Sequence, residues 1–188
     1  SYNSAEIAKK IYLEEHPDTK IHVIDSLSAG GDVDLLVRKL NHLVAEGLEF
    51  DQVVDAITTY QSKTKLIFVL AKVDNLVKNG RLSKLVGTVV GLLNIRMVGE
   101  ASKTGTLELL QKARGQKKAI KAAFDELIKA GYTGGHITIA HRNNDKFIEQ
   151  FSALVREKFA QASIEVLPTS GLCSFYAEEG GLLMGYEI

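Results

Sequence analysis

The sequence predicts an α/β protein in which a mixed sheet is flanked by helices. Three observations carry that reading. Early in the chain, short apolar runs alternate with stripes of apolar residues at helical spacing. Toward the C-terminus, short apolar runs follow one another without a helix between them, unlike a purely parallel doubly wound sheet. Between these regimes the polar stretch QSKTK breaks the pattern and marks a boundary between residues 64 and 65.

Each element has its own signal. Residues 3–15 suit a helix, with Ile7, Ile11 and Tyr12 near helical spacing and Pro17 beyond its end. IHVIDS, residues 21–26, reads as a short buried strand. Val33, Leu36, Val37 and Leu40 form the stripe of the next helix, for which Ser28 or Asp32 offers the N-cap. A further helix covers about 51–61, and KLIFVL, residues 65–70, is a second buried strand. Leu82, Leu85, Val86, Val89 and Val90 then give a clean helical face directly after the basic turn KNGR. LLNIRMVGEAS, the turn Thr104-Gly105 and TLELLQKAR read as a strand and its returning partner. A helix over 116–130 ends at Gly131, GGHITIAHR is a strand, and Asn144 or Asp145 opens a helix to about 161. SIEVLPT, GLCSFYA and GLLMGYEI close the chain as three short strands.

The 188 residues are 45% hydrophobic and 24% charged, enough for a core. Net charge is zero, so no global signal points to nucleic acid or an anionic membrane. The single Cys173 cannot form an internal disulfide, which fits a reducing cytoplasm. No apolar stretch is long enough to insert across a bilayer. The opening SYNSAEIAKKIYLEE reads as a capped helix rather than a signal peptide, and its abrupt start without Met is that of a fragment. The neutral total conceals an asymmetry. Residues 79–122 carry nine basic side chains against Glu100 and Glu108, a local charge of +7 balanced by −7 elsewhere. Such a segment is a solvated face or a surface for an anionic partner.

Catalytic signals are absent from the pattern. His136 and His141 share a strand at odd spacing, point to opposite faces and have no ligand neighbours at metal spacing. Cys173 sits in an apolar run as an inert buried thiol. AGGD lacks the spacing of a phosphate loop and is better explained as a turn and cap.

Three segments together are more specific. NGRLSK, KARGQKKA and SFYAEEGGLLMGYE resemble segments of the DegV family of fatty-acid-binding proteins. VIDSLSAGGDVDLLV, LLNIRMV and ITIAHRNND are similar to other segments of that family, in the same order along nearly the whole chain. The resemblance implies a two-domain DegV-like fold, with residues 1–64 as the remainder of an incomplete first domain and 65–188 as the lipid-binding domain. The family's carboxylate-binding Thr and Ser would lie before Ser1. One departure stands out. Tyr176 occupies the place of a ligand-contacting His, and Glu178-Glu179 stand where Gly-Pro is usual.

The function this implies is a carrier without catalysis of its own. It holds a long-chain fatty acid in an apolar tunnel and presents the carboxylate to a fatty acid kinase subunit, with no cofactor beyond the bound lipid. Expected lipid contacts are Tyr176, Ser174, Phe68, Leu82, Leu85, Val86 and Val89. Arg81, Arg114 and Lys117 are expected to face the kinase. The alternative reading is a hydrolase or transferase whose anionic substrate is held by Arg81, Arg114 and Lys117.

Overall fold

The computed structural model describes residues 1–82 and 94–188. It divides into two compact units. One comprises Ser1–Ser26 with Leu36–Ser62, the other Leu27–Leu35 with Lys63–Ile188. Of the expected helix on Leu82, Leu85, Val86, Val89 and Val90, all but Leu82 lies outside the described residues.

The first unit is helical. It contains α1 (Tyr2–Glu15), most of α2 (Gly31–Ala45) and α3 (Phe50–Gln61). Leu36 and Leu43 pack with Ile57, surrounded by Ile24, Leu40, Leu48, Val53, Ala56 and Tyr60. α3 starts in a capping box. The Glu49 side chain accepts from the N3 backbone N–H, and Gln52 Oε1 accepts from the Glu49 N–H at 3.0 Å. IHVIDS is not a strand. Among the described residues this unit has no other strand to pair with it, and an unpaired run has no ladder for its backbone. Its tail is held instead by Gln61, whose Nε2 donates to the Asp25 carbonyl at 2.6 Å.

The second unit is built on a sheet. Its strands are β1 (Thr64–Leu70), β2 (Ile95–Ala101), β3 (Leu107–Arg114), β4 (His136–His141), β5 (Ser163–Pro168) and β6 (Leu182–Glu187), in the order β3-β2-β1-β6-β4-β5. β4 and β5 run parallel and every other neighbouring pair is antiparallel, the mixed sheet the sequence predicts. Among the described residues four helices accompany the strands: α4 (Asp74–Lys78), α5 (Gln116–Lys129), α6 (Asp145–Lys158) and α7 (Gly171–Ala177). Alternation sorts the side chains. Ile67, Val69, Val98, Leu182, Met184 and Tyr186 enter a core covered by α5 and α6, through residues such as Ala123, Leu127, Phe147 and Phe151. Phe68, Leu70, Met97 and Leu183 enter a second core on the opposite face. β1 is therefore buried on both sides, which is why it reads as a continuous apolar run.

GLCSFYA is a helix, α7, and not the strand its composition predicts. A seven-residue apolar run fits either element. Here the spacing of Cys173, Tyr176 and Ala177 decides, placing Tyr176 and Ala177 on the second core and leaving Leu172 64% exposed.

The start of α2 is fixed on the sheet by glycine. A Cβ on Gly31 would strike the Thr138 carbonyl and the Gly185 nitrogen, and one on Gly185 would strike the Asp32 backbone. This contact sets where the helix begins. Asp32 consequently lies inside its first turn, 5% exposed, rather than at the cap. Burial raises the Asp32 carboxyl above its ordinary range, while side-chain hydrogen bonds with Ser28 and Thr64 act in the opposite sense. Thr138 Oγ1 donates to Asp34 Oδ2 at 3.3 Å, a second tie between this turn and the sheet.

Two outcomes follow. Gly185→Ala forces α2 away from β6 and lowers stability by about 1–3 kcal/mol in denaturant melts. The second concerns pH. Asp32 holds its proton more firmly in the folded state, so its contribution is fully present at low pH and is lost as pH rises through the raised folded pKa. Asp32→Asn cannot ionise. It should be more stable than the wild type above that range, with the advantage vanishing as pH falls toward 3.8 in unfolding curves taken across pH.

Candidate functional site

The second core holds Phe68 and Leu82, two of the apolar residues expected to meet a ligand. Phe68, Leu70, Val73, Leu76, Leu82, Met97 and Ala177 are buried there, with Val77, Leu107, Leu109, Tyr176 and Leu183 half-buried around them. The sequence dictates the arrangement locally. β1 sends Phe68 to this face, and the ring lies over Gly99 of the neighbouring strand, where any Cβ would strike it. A β-bulge between Val98 and Gly99 adjusts the strand at that point. Of the expected lipid contacts, Phe68, Leu82 and Tyr176 share this cluster. Leu85, Val86 and Val89 lie outside the described residues.

Polar groups gather where α4 meets α7. The Asn75 backbone N–H donates to Glu178 Oε1 at 3.0 Å, and Asn75 Nδ2 donates to the Phe175 carbonyl at 2.8 Å. The Arg81 guanidinium carbon lies 5.7 Å from the centroid of the Tyr176 ring, within range of a cation–π contact. Ser174 does not face that pair. Its hydroxyl shares a hydrogen bond of 2.8 Å with Thr169 Oγ1, and its carbonyl accepts from Arg142 Nη1 at 3.1 Å. Arg142 Nε also lies 3.6 Å from Glu179 Oε2, which accepts from Asn143 Nδ2 at 3.2 Å.

The other expected docking residues are carried by different elements. Arg114 ends β3 and Lys117 lies in the first turn of α5, both exposed. No contact among the described residues joins either to Arg81. The histidines have separate roles. His141 Nδ1 accepts from the Asn144 N–H at 3.3 Å, and His136 Nε2 lies 3.8 Å from Glu165 Oε2. No group of three or more His, Cys, Asp or Glu suited to a metal occurs among the described residues. Cys173 is half-buried rather than enclosed.

Sequence reading missed the Asn75–Glu178 clasp. Its signal was present but easily misread. Glu178 stands where the resembled family has Gly, and its backbone keeps a left-handed φ of 53°. Such a conformation costs a non-glycine residue of order 1–3 kcal/mol. The Glu178 carboxylate offsets part of that by accepting an N–H in the first turn of α4.

An apolar cluster on one face of a mixed sheet, with two short helices beside it, describes an α/β domain. The chain belongs to the DegV family: the model described as "Uncharacterised protein, DegV family" matches residues 1–186. It is 76% identical over 188 residues to a DegV domain-containing protein of Streptococcus pneumoniae serotype 4, covering all of this chain and 67% of that protein. The same fold occurs in the crystal structure of the Streptococcus pneumoniae Fatty Acid Kinase (Fak) B3 protein loaded with linoleic acid. That match has a TM-score of 0.98 and 76% identity, over 100% of this chain and 67% of the other. A DegV family protein from Eubacterium eligens loaded with heptadecanoic acid matches at a TM-score of 0.95 and 38% identity, over 99% and 67%. The chain thus spans about two thirds of these relatives' length. No helix among the described residues is long and apolar enough to cross a membrane.

The clasp yields an unusual ordering of variants. Glu178→Ala keeps the strained backbone and loses the cap, so it should destabilise by about 1–2 kcal/mol. Glu178→Gly loses the same cap but releases the strain, and should be the more stable of the two in thermal melts.

Proposed function

We propose that the chain is part of a fatty-acid carrier, with no catalytic step of its own, that holds an acyl chain against its second core and presents the carboxylate to a fatty acid kinase. The observation that carries this reading is the apolar cluster of Phe68, Leu82 and Tyr176 with Arg81 over the phenol, in a fold shared with a linoleate-loaded protein at 76% identity.

The energetics support it. At about 0.8 kcal/mol per buried CH₂, a tail of about fifteen methylenes gains roughly 12 kcal/mol on leaving water. Loss of overall freedom on association offsets several kcal/mol of that, leaving enough for tight binding. The carboxylate has the opposite preference, because burying it unpaired is costly. On this reading Phe68, Leu82, Leu85, Val86 and Val89 line the tail, and the Tyr176 hydroxyl donates to the head group. Ser174, whose hydroxyl is bonded to Thr169, would have to exchange that partner to reach the head group. Arg81, Arg114 and Lys117 face the kinase, where planar guanidinium groups match carboxylate or phosphate oxygens.

Native mass spectrometry of the protein purified from cells tests the reading. A co-purified fatty acid is expected; none found, and none bound on addition, would overturn it. Arg81→Glu with Arg114→Glu then separates the carrier from a hydrolase or transferase. Lipid uptake should persist while kinase docking weakens by roughly tenfold or more. An enzyme holding its substrate by these arginines would instead lose substrate binding directly.

A further inference from the structure

Asn79 and Gly80 stand in the turn that leads from α4 to Arg81, and no other Asn in the sequence is followed by Gly. Both residues are exposed, and Gly80 keeps a left-handed φ of 65°. Such a pair carries a latent reaction. The backbone nitrogen after an Asn can attack the side-chain amide carbon, and a glycine has no Cβ to obstruct the approach. The bond from Gly80 N to Asn79 Cγ forms and the Cγ–Nδ2 bond breaks. The amide nitrogen leaves as ammonia, carrying the proton from Gly80 N. Water then opens the cyclic imide at either carbonyl, giving aspartate or isoaspartate at position 79. Water is the only co-reactant.

In the folded turn both reacting groups are held. The Gly80 N–H donates to the Val77 carbonyl at 3.1 Å. Asn79 Nδ2 donates to the Asn75 carbonyl at 2.8 Å, and the Asn79 N–H donates to the same oxygen at 3.2 Å. Asn75 is fixed in turn by α7. Its N–H donates to Glu178 Oε1 at 3.0 Å, and its Nδ2 donates to the Phe175 carbonyl at 2.8 Å. α4 has five residues, too few for its own hydrogen bonds to keep its last turn closed. The hold on Asn79 therefore depends on the clasp at Asn75.

We propose that Asn79 is a deamidation site whose rate is set by the Asn75–Glu178 clasp. A closed clasp protects the turn, and an open one admits the reaction. The product alters the approach to Arg81. Either form places a carboxylate two residues before that arginine. Isoaspartate also lengthens the main chain by a methylene, in the turn where the Arg81 N–H meets the Leu76 carbonyl at 2.8 Å. The inference stands without the fatty-acid reading, because the modification is measured on the protein alone.

The test ages the full chain at mildly alkaline pH and maps deamidation by peptide mass spectrometry, with isoaspartate-specific methylation reporting the imide route. Asn79 is expected to react faster than every other Asn, with isoaspartate among the products. Glu178→Ala should accelerate its loss roughly threefold or more, since the turn opens locally. Glu178→Gly loses the same carboxylate but relieves the strained backbone, and should accelerate it too. Gly185→Ala weakens the fold elsewhere and should leave the Asn79 rate unchanged. In urea that unfolds every variant, all should react at one common rate. An Asn79 slower than other Asn residues, or a product without isoaspartate, would overturn the site. Unchanged rates in both Glu178 variants, equal acceleration by Gly185→Ala, or rates that still differ in urea would overturn control by the clasp.

Discussion

β1 is buried on both faces, and the sheet-based unit is organised around that constraint. With strands on either side and Val69 fully enclosed, the strand has no solvent face. Every side chain from Ile67 to Leu70 enters one core or the other. The alternation sends Ile67 and Val69 beneath α5 and α6, and Phe68 and Leu70 to the face closed by α4 and α7. One strand thus feeds two cores, one beneath α5 and α6 and one closed by α4 and α7. A register slip of one residue would exchange the two sets, so the antiparallel pairing of β1 with β2 and β6 fixes both at once.

The elements most legible in the sequence were those whose period is long or whose ends are marked. α5 carries a stripe over fourteen residues and stops before Gly131, and β1 is a run of large apolar residues bounded by polar ones. Two readings failed because the deciding information is not local. Residues 21–26 have the composition of a strand but no strand to pair with in their unit, and pairing is a property of the partner. GLCSFYA is seven residues long, too short for composition to separate strand from helix. Asp32 was misplaced for a different reason. It has the residue type of a cap, but a tertiary contact between Gly31 and Gly185 fixes where α2 begins. Of the candidate site, the apolar members were visible from their spacing. The Asn75–Glu178 clasp was not, because it joins residues 103 positions apart.

The charge distribution has the same two-level character. The excess of basic residues between 79 and 122 is evident from counting, yet counting treats all nine alike. The structure divides them by environment. Arg81 lies against an aromatic ring, Lys121 is bound to Asp125 at 2.8 Å one helical turn away, and Arg96 is half-buried, its Nε and Nη1 meeting no acceptor among the described residues. An exposed pair such as Lys121–Asp125 contributes little to stability. Net charge, zero over the whole chain, reports none of these differences.

The departures at Tyr176 and Glu178 are best understood as a pair, since both lie at the C-terminal end of α7. By the resemblance, a phenol stands where a histidine is usual, and a phenol carries no positive charge. A cation lies beside the phenol. Arg81 ends the turn after α4, its N–H donating to the Leu76 carbonyl at 2.8 Å, and its guanidinium lies over the Tyr176 ring. The geometry of that turn depends in part on α4, whose first-turn Asn75 N–H is met by the Glu178 carboxylate. Glu178 therefore does what the glycine usual at its position cannot: it ties α7 to α4 and so helps set the base from which Arg81 reaches Tyr176. On the carrier reading, the charge that a histidine would bring from α7 is supplied here by an arginine that follows α4. The strained backbone of Glu178 is the cost of holding the two helices together.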